Sequence, residues 1–326
     1  MYINCIKLIA VFLLTTYYLI LPTDIQAASV SLGIYPPLTE FEVTPPATID
    51  EPITLQNLNN IPITLSVSLR PFVASTKANG EVTFPADNRG VGVNPNFLDY
   101  VSLWENTNRV KEVTLAPGQE KIVTLHIEIP DNEFASDYYF SIIFSNKVDQ
   151  LLENDTLTKD NLTIIKGGVG INVLLTIGPK SRPKGEIEEF SSPAFVQQGP
   201  VPFIVRVKNT GEHRTKVKGT ILIKNIFNQY IGKIEIKDTN ILTNAIRQLQ
   251  IDNEDSILWK ESFLIGRYTA VLTLMFSEQG PIFTRSIVFY AFPLYFSLGV
   301  FIAIILLVVI KKRIYKRFHM YNRHKA

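Results

Sequence analysis

Apolar residues recur at every second position through much of the chain. Ile61, Ile63, Leu65, Val67 and Leu69 form one such series; Val123, Leu125, Ile127 and Ile129 form a second, Tyr138, Phe140, Ile142 and Phe144 a third, and Ile171, Val173, Leu175 and Ile177 a fourth. This is the period of a strand with one face buried and the other wet. Residues that stop a strand or tolerate positive φ separate the runs, at Asn57 to Pro62, Asn79-Gly80, Pro117-Gly118 and Pro130-Asp131-Asn132. Short strands punctuated this often predict a β-sandwich. The segment Gly178-Pro179-Lys180-Ser181-Arg182-Pro183-Lys184-Gly185 breaks the pattern, which restarts with Phe203, Val205 and Val207, then Val217, Ile221 and Ile223, then Ile234 and Ile236, and finally Tyr268, Ala270, Leu272, Leu274 and Phe276. The fold class expected is all-β: two immunoglobulin-like β-sandwich domains, over 28–178 and 186–289, joined by a linker at 179–185 and followed by one C-terminal transmembrane helix.

The two ends carry signals of another kind. Lys7 precedes an apolar run from Leu8 to Leu21, and a polar stretch then ends in Ile25-Gln26-Ala27-Ala28. Residues 1–27 fit a signal peptide cut near Ala27. A single positive side chain in front of the run leaves an uncleaved N-terminal anchor as the competing interpretation. Ala291 to Ile310 is uncharged and apolar, long enough as a helix to span the roughly 20-residue depth of a hydrocarbon core. The expected helix covers 290–310. The tail at 311–326 holds Lys311, Lys312, Arg313, Lys316, Arg317, Arg323 and Lys325 with no Asp or Glu. Positive residues beside a span stay on the cytoplasmic side, which orients the sandwiches outward, extracellular or periplasmic, on a single-pass plasma-membrane protein.

That topology changes what the charge means. The chain is formally +2, its tail carries +7, and Lys7 cancels Asp24, so the outer portion is about −5. The basic balance belongs to a short tail near lipid headgroups, and nucleic acid is not an expected partner. The one cysteine, Cys5, lies in the N-terminal segment, so the sandwiches must be held by apolar burial without disulfides.

Candidate chemistry is sparse. His126 and His213 are the only histidines outside the two ends, one per domain, which does not make a metal site. His126, between inward-facing Leu125 and Ile127, is expected to face solvent. The acidic groups Asp131/Glu133, Glu186/Glu188/Glu189 and Asp252/Glu254/Asp255 sit in turn-like contexts and are expected to be solvated, the last with a weaker calcium-loop alternative. Gly167-Gly168-Val169-Gly170 is followed by a strand pattern, so it predicts a glycine bulge or turn and not a phosphate loop. No cofactor, no metal and no catalytic constellation are expected. Two polar segments, Ser75 to Phe97 and Lys147 to Leu162, lack a sustained period. Loops of that length are either functional or disordered, and they are the first place to seek a partner surface on the first domain. Asn154-Asp155-Thr156 and Asn161-Leu162-Thr163 are formal glycosylation acceptors.

Two local patterns suggest a family. Val113-Thr114-Leu115-Ala116-Pro117-Gly118-Gln119-Glu120 leads into the alternating strand from Val123 and then Asp137-Tyr138-Tyr139-Phe140. In the second half, Lys208-Asn209-Thr210-Gly211 precedes Val217-Lys218-Gly219-Thr220, with Phe263-Leu264-Ile265-Gly266-Arg267-Tyr268 near the end. Tyr138 and Tyr268 each open a late strand, where a tyrosine corner would tether it. The arrangement resembles bacterial surface proteins that interact with WxL proteins, with a DUF916-type immunoglobulin-like domain, a second such domain, one helix and a basic tail; the first domain resembles, more distantly, the amino-terminal domain of pilus chaperones. The first resemblance implies peptidoglycan binding. The function expected is a non-catalytic binding or adhesion protein of the cell surface that holds cell-wall polymer or another surface protein. The alternative is a membrane-tethered, chaperone-like assembly factor for secreted or surface subunits.

Overall fold

A computed structural model describes residues 31–85, 92–146, 168–251, 256–278 and 280–323, with side chains up to residue 313. The N-terminal segment 1–27, the polar stretch 147–162 with its two glycosylation acceptors, and Asp252 to Asp255 lie outside the described residues.

The first sandwich packs two five-stranded sheets. One runs in the order β1 (Leu32–Tyr35), β3 (Ala47–Asn57), β10 (Glu120–Ile129), β7 (Val101–Glu105) and β8 (Asn108–Val110). The other runs β2 (Leu38–Val43), β12 (Gly168–Ile177), β11 (Ser136–Asn146), β4 (Ile63–Pro71) and β9 (Glu112–Leu115). The residues of the alternating series meet between them: Leu65, Val123, Leu125, Ile127, Tyr138, Phe140, Ile142, Ile171, Val173, Leu175 and Ile177 are fully buried. Each such side chain contributes roughly 1.5–3 kcal/mol relative to exposure, so the core needs no sulfur bridge. A short hairpin, β5 (Val73–Ala74) with β6 (Val82–Thr83), projects from the end of β4.

The second sandwich repeats the plan. β13 (Gly185–Ser191) pairs with β15 (Val201–Asn209), whose other edge carries β18 (Ile246–Gln248) and β19 (Ile257–Trp259). The facing sheet runs β14 (Phe195–Val196), β21 (Ile282–Ala291), β20 (Gly266–Phe276), β16 (Thr215–Lys224) and β17 (Tyr230–Ile241). In both units the opening strand divides between the sheets. β1 is antiparallel to β3 while β2 runs parallel to β12, and β13 is antiparallel to β15 while β14 runs parallel to β21. A strand that crosses over closes one side of the sandwich and removes an exposed edge.

A helix, α1 (Leu294–Arg323), completes the chain. Its segment Leu294–Arg313, apolar up to Ile310, has no buried residue and is long enough to cross a membrane. Tyr290 and Ala291, expected at the head of the helix, are instead the last residues of β21, paired with Arg267 and Gly266. Pro293 marks the change from sheet to helix, its carbonyl taking the Ser297 amide at 3.0 Å and the Ser297 hydroxyl at 2.9 Å.

Three further expectations are corrected. Glu186, Glu188 and Glu189 lie on β13 and not in a turn; a register shift after Ile187 keeps them facing outward, where Glu188 meets Arg206 at 3.6 Å and Glu186 meets Lys208 at 3.9 Å. Gly168 and Gly170 are ordinary members of β12 in continuous register with Ser145 and Ile143, so no bulge forms there. A Cβ on Gly168 would lie 3.1 Å from the Ile143 side chain, a tight contact that would require Ile143 to shift. The segment from Ser75 is not free surface: its first part is docked on the second sandwich, as described next.

Candidate interaction surfaces

Two features stand out once the strands are in place: a polar lock between the sandwiches and a groove on the outer side of the second one. The lock centres on Asp137, at the start of β11, which is 6% exposed. Its carboxylate accepts the Tyr139 hydroxyl at 2.5 Å, the Thr243 hydroxyl at 3.3 Å, the backbone N–H of Arg214, and lies 3.1 Å from His213 Nδ1. Burial pushes the acid upward, but hydrogen bonds from Tyr139, Arg214 and His213 outweigh it and hold Asp137 below the usual carboxylate range. The same contact drives the Tyr139 phenol well above its ordinary value, through burial first and the adjacent charge second.

Arg214 itself reaches across to the first sandwich. Its guanidinium donates to Glu40 Oε2 at 2.7 Å and Asn240 Oδ1 at 3.3 Å, and comes within 3.5 Å of Glu42. Glu40 also takes Asn240 Nδ2 at 2.9 Å and Lys216 Nζ at 3.0 Å. Desolvation opposes its ionisation; the Asn240 and Lys216 bonds and the Arg214 charge win, and its acidity is increased. Beside this network Phe72, Tyr139 and Leu174 form a small buried cluster against which Leu242 of the second sandwich packs.

The hairpin β5–β6 finishes the joint. Gln248 N–H donates to Ala78 C=O at 2.7 Å. The Arg247 guanidinium lies over Gly80, where a Cβ would sit 1.9 Å from its carbon. Gly80 also has φ +91°, so only glycine fits. A cleft of about 500 Å³ opens beside the lock, lined by Glu42, Lys180, Arg182, Lys216, Lys218 and Glu278 among others. Lys180 is paired with Glu42, Lys216 with Glu40 and Lys218 with Glu278, so much of its charge is already neutralised from within.

The groove lies between the two sheets of the second sandwich, where the β17 edge faces β19. Among the described residues β17 pairs only with β16, leaving one side of a 12-residue strand unpaired. Ile234, Ile251, Leu258 and Trp259 line a space of about 440 Å³, rimmed by Lys233, Glu235, Lys260 and Glu261. Gly232 allows β17 to approach the wall, since a Cβ there would lie 2.6 Å from Trp259 Nε1. Trp259 is held by edge contacts to Tyr268 and Phe289. An apolar floor beside an unpaired strand edge is the geometry that strand addition by an extended polypeptide uses.

His126 sits on the outer face of β10, 2.7 Å from Asp50 on β3 and edge-on to Trp104. His213 belongs to the lock. Tyr268 forms the expected corner, its hydroxyl bonded to the N–H and C=O of Ile265 at 3.0 and 3.1 Å. Tyr138 does not close a local corner: it donates to Glu133 at 2.5 Å, makes a hydrogen bond to the backbone at Asn94 and stacks on Phe97 at 4.0 Å. No group of three or more metal-binding side chains occurs among the described residues. Asp137, Arg214 and Glu40 were not legible as a unit. The available signal was apolar residues on both phases of a strand, as in Tyr138-Tyr139 and Leu174-Leu175, which marks a sheet covered on its outer face as well.

No protein-family model matches the chain, and no curated protein matches it. Among solved structures it is similar to the class 5 fimbriae chaperone CfaA, with 13% identity over 81% of this chain and 100% of that one, at a TM-score of 0.34. It is also similar to the E. coli chaperone DraB, with 10% identity over 80% and 98% of the two chains and a TM-score of 0.34. A third is the chaperone YadV, at 8% identity, 78% and 98% coverage and a TM-score of 0.32. At these values the likeness carries nothing about what this chain binds.

Proposed function

We propose that the chain is a membrane-anchored, non-catalytic protein-binding module that takes up an extended segment of another secreted or surface protein, as a tethered assembly factor would. The observation that carries this is the groove beside the unpaired edge of β17. Main-chain groups along a strand edge bond any polypeptide in extended form, and the floor of Ile234, Leu258 and Trp259 selects side chains at alternate positions. The edge suits a polypeptide and not a polymer of sugars, so a protein partner is favoured over wall polymer. Lasting adhesion to a surface protein through the same groove is the second reading. Anchoring is assigned to Leu294–Arg313, with Lys311, Lys312, Arg313, Lys316 and Arg317 on the cytoplasmic side and both sandwiches outside.

The test is site-specific photo-cross-linking of the full chain in intact cells, with the probe at Leu258 in the groove or at Glu188 on β13, away from it. A protein adduct at Leu258, absent at Glu188 and suppressed by Lys233→Pro in the β17 edge, is expected. Equal adducts at the two positions, or none at either, would sink the proposal. Transient adducts that disappear when secretion is blocked mark assembly; persistent ones mark adhesion.

A further inference from the structure

The end of the second sandwich that meets α1 carries an unusual surface. Strand register fixes which loops gather there. Gly266 pairs with Ala291, Lys224 pairs with Thr269, and Phe195 pairs with Tyr290, so the β16–β17 turn, the loop before β20, the β14 segment and the start of the helix share one end. Phe195 is 49% exposed, Ile226 65%, Phe227 78%, Phe263 57%, Ile265 56% and Tyr290 52%. The opposite end of the same sandwich is the polar lock. Apolar side chains clustered at one end only, around the base of a span, are not explained by chance exposure of single residues.

These side chains are held outward by built structure. In the β16–β17 turn the Asn225 carboxamide accepts the Phe227 and Gln229 N–H groups at 2.9 and 3.0 Å, and the Asn228 N–H bonds the Asn225 C=O at 3.0 Å. That turn presents Ile226 and Phe227 at its tip. Lys224 Nζ stands 4.7 Å from the Tyr230 ring centroid behind them. Phe263 packs edge-on against Phe296 in the first turn of the helix, at 5.9 Å, so the loop and the span are in contact.

We infer that this end is a membrane-seating foot, in which Phe195, Ile226, Phe227, Phe263, Ile265 and Tyr290 rest in the headgroup region of the bilayer that α1 enters. The inference rests on the anchoring assignment above. Its occupant is lipid because the patch is continuous with the helix through Phe263–Phe296, and because aromatic and aliphatic side chains flanked by Lys and Arg are the composition that interfacial binding favours. Lys224 and Arg267 on the same end supply the cationic flank. The foot fixes the tilt of the second sandwich, and through the lock that of the first, relative to the membrane.

The test uses the full chain with Cys5→Ser, reconstituted in phosphatidylcholine–phosphatidylglycerol nanodiscs. Single environment-sensitive labels are attached through Phe227→Cys, Ile265→Cys, Glu278→Cys at the far end, or Ile305→Cys in the helix. Labels at 227 and 265 are expected to lose quenching by aqueous iodide and gain quenching by headgroup-depth nitroxide lipid, while 278 keeps full iodide quenching. If 305 is quenched by lipid but 227 and 265 behave like 278, the helix spans and the foot is refuted. If 305 is itself open to iodide, the span assignment fails and the foot with it. Shielding of 227 from both quenchers would place a protein there instead and would overturn the lipid assignment.

Discussion

At the scale of single residues the lock makes a definite statement about acid. Asp137 and Glu40 are both held below their ordinary values of 3.8 and 4.5, so each contributes stability that is fully present above those values and is lost as pH falls through the lower folded ones. Asp137 is faced by His213, the Tyr139 and Thr243 hydroxyls and the Arg214 amide, and Glu40 by the Arg214 and Lys216 cations and the Asn240 amide; protonating either carboxylate weakens the bonds that it accepts. Thermal unfolding followed from pH 7 to pH 2.5 is expected to show the midpoint falling most steeply below about pH 4. Asp137→Asn should start lower at pH 7, by roughly 2–3 kcal/mol for a buried charge-assisted network that loses its charge, and should then fall less on acidification. A variant whose acid slope matches that of the unsubstituted chain would show that the pH dependence arises elsewhere.

Among the elements, an asparagine closes the same corner in each sandwich. Asn57 at the end of β3 donates its amide to the carbonyls of Ile61, Leu115 and Ala116, at 2.8, 3.3 and 3.0 Å. Asn209 at the end of β15 donates to His213, Ile241 and Leu242, at 2.9, 3.1 and 3.2 Å. Both are fully buried, and each carboxamide oxygen takes an N–H two residues on, from Asn59 and Gly211. Asn209→Ala strands three carbonyls and one N–H at once. It is expected to cost about 3 kcal/mol or more, measured by urea unfolding, with Asn57→Ala similar and Asn209→Asp no better, since a carboxylate cannot donate. This repeat shows what was legible in the sequence. The alternation at Val123 to Ile129 or Tyr138 to Phe144 follows from sheet geometry, and every one of those positions is buried. Turns at Asn57 and Asn209 were visible as breaks, but that each amide also bridges two distant carbonyls depends on contacts 32 to 59 residues away that no local pattern encodes. The groove was hidden for the same reason. Ile234 and Ile236 read as one strand face, whereas Trp259 meets that face only after β15 has brought β19 alongside.

For the whole molecule, the lock and the helix lie at opposite ends of the second sandwich, with the groove along β17 between them. Ile234 on the groove floor stands four residues from Tyr230, at the turn on the helix end of the sandwich, roughly 13 Å along the strand. A segment added to β17 would therefore run outward from close above the bilayer, within reach of a chain just emerging from it. This arrangement requires the sandwiches to lie on the side opposite the basic tail. The candidate span of α1, Leu294–Arg313, covers 20 residues including its terminal cations Lys311, Lys312 and Arg313, about 30 Å at the helical rise, which matches one hydrocarbon core with nothing to spare. Lys311, Lys312 and Arg313 then fall at one boundary, each favouring the anionic cytoplasmic leaflet by about 1 kcal/mol. Replacing them together, as Lys311→Glu, Lys312→Glu and Arg313→Glu, removes the nearest positive flank and leaves only the more distant cations. Protease added to intact cells is expected to digest the sandwiches of the unsubstituted chain while sparing a tail epitope. In the triple variant a protected full-length fraction should appear alongside the digested one, because orientation follows the Lys and Arg bias within the first turns beyond a span. If the unsubstituted chain resists protease while a known surface protein on the same cells is cut, the sandwiches do not face outward and the groove cannot serve an exported partner.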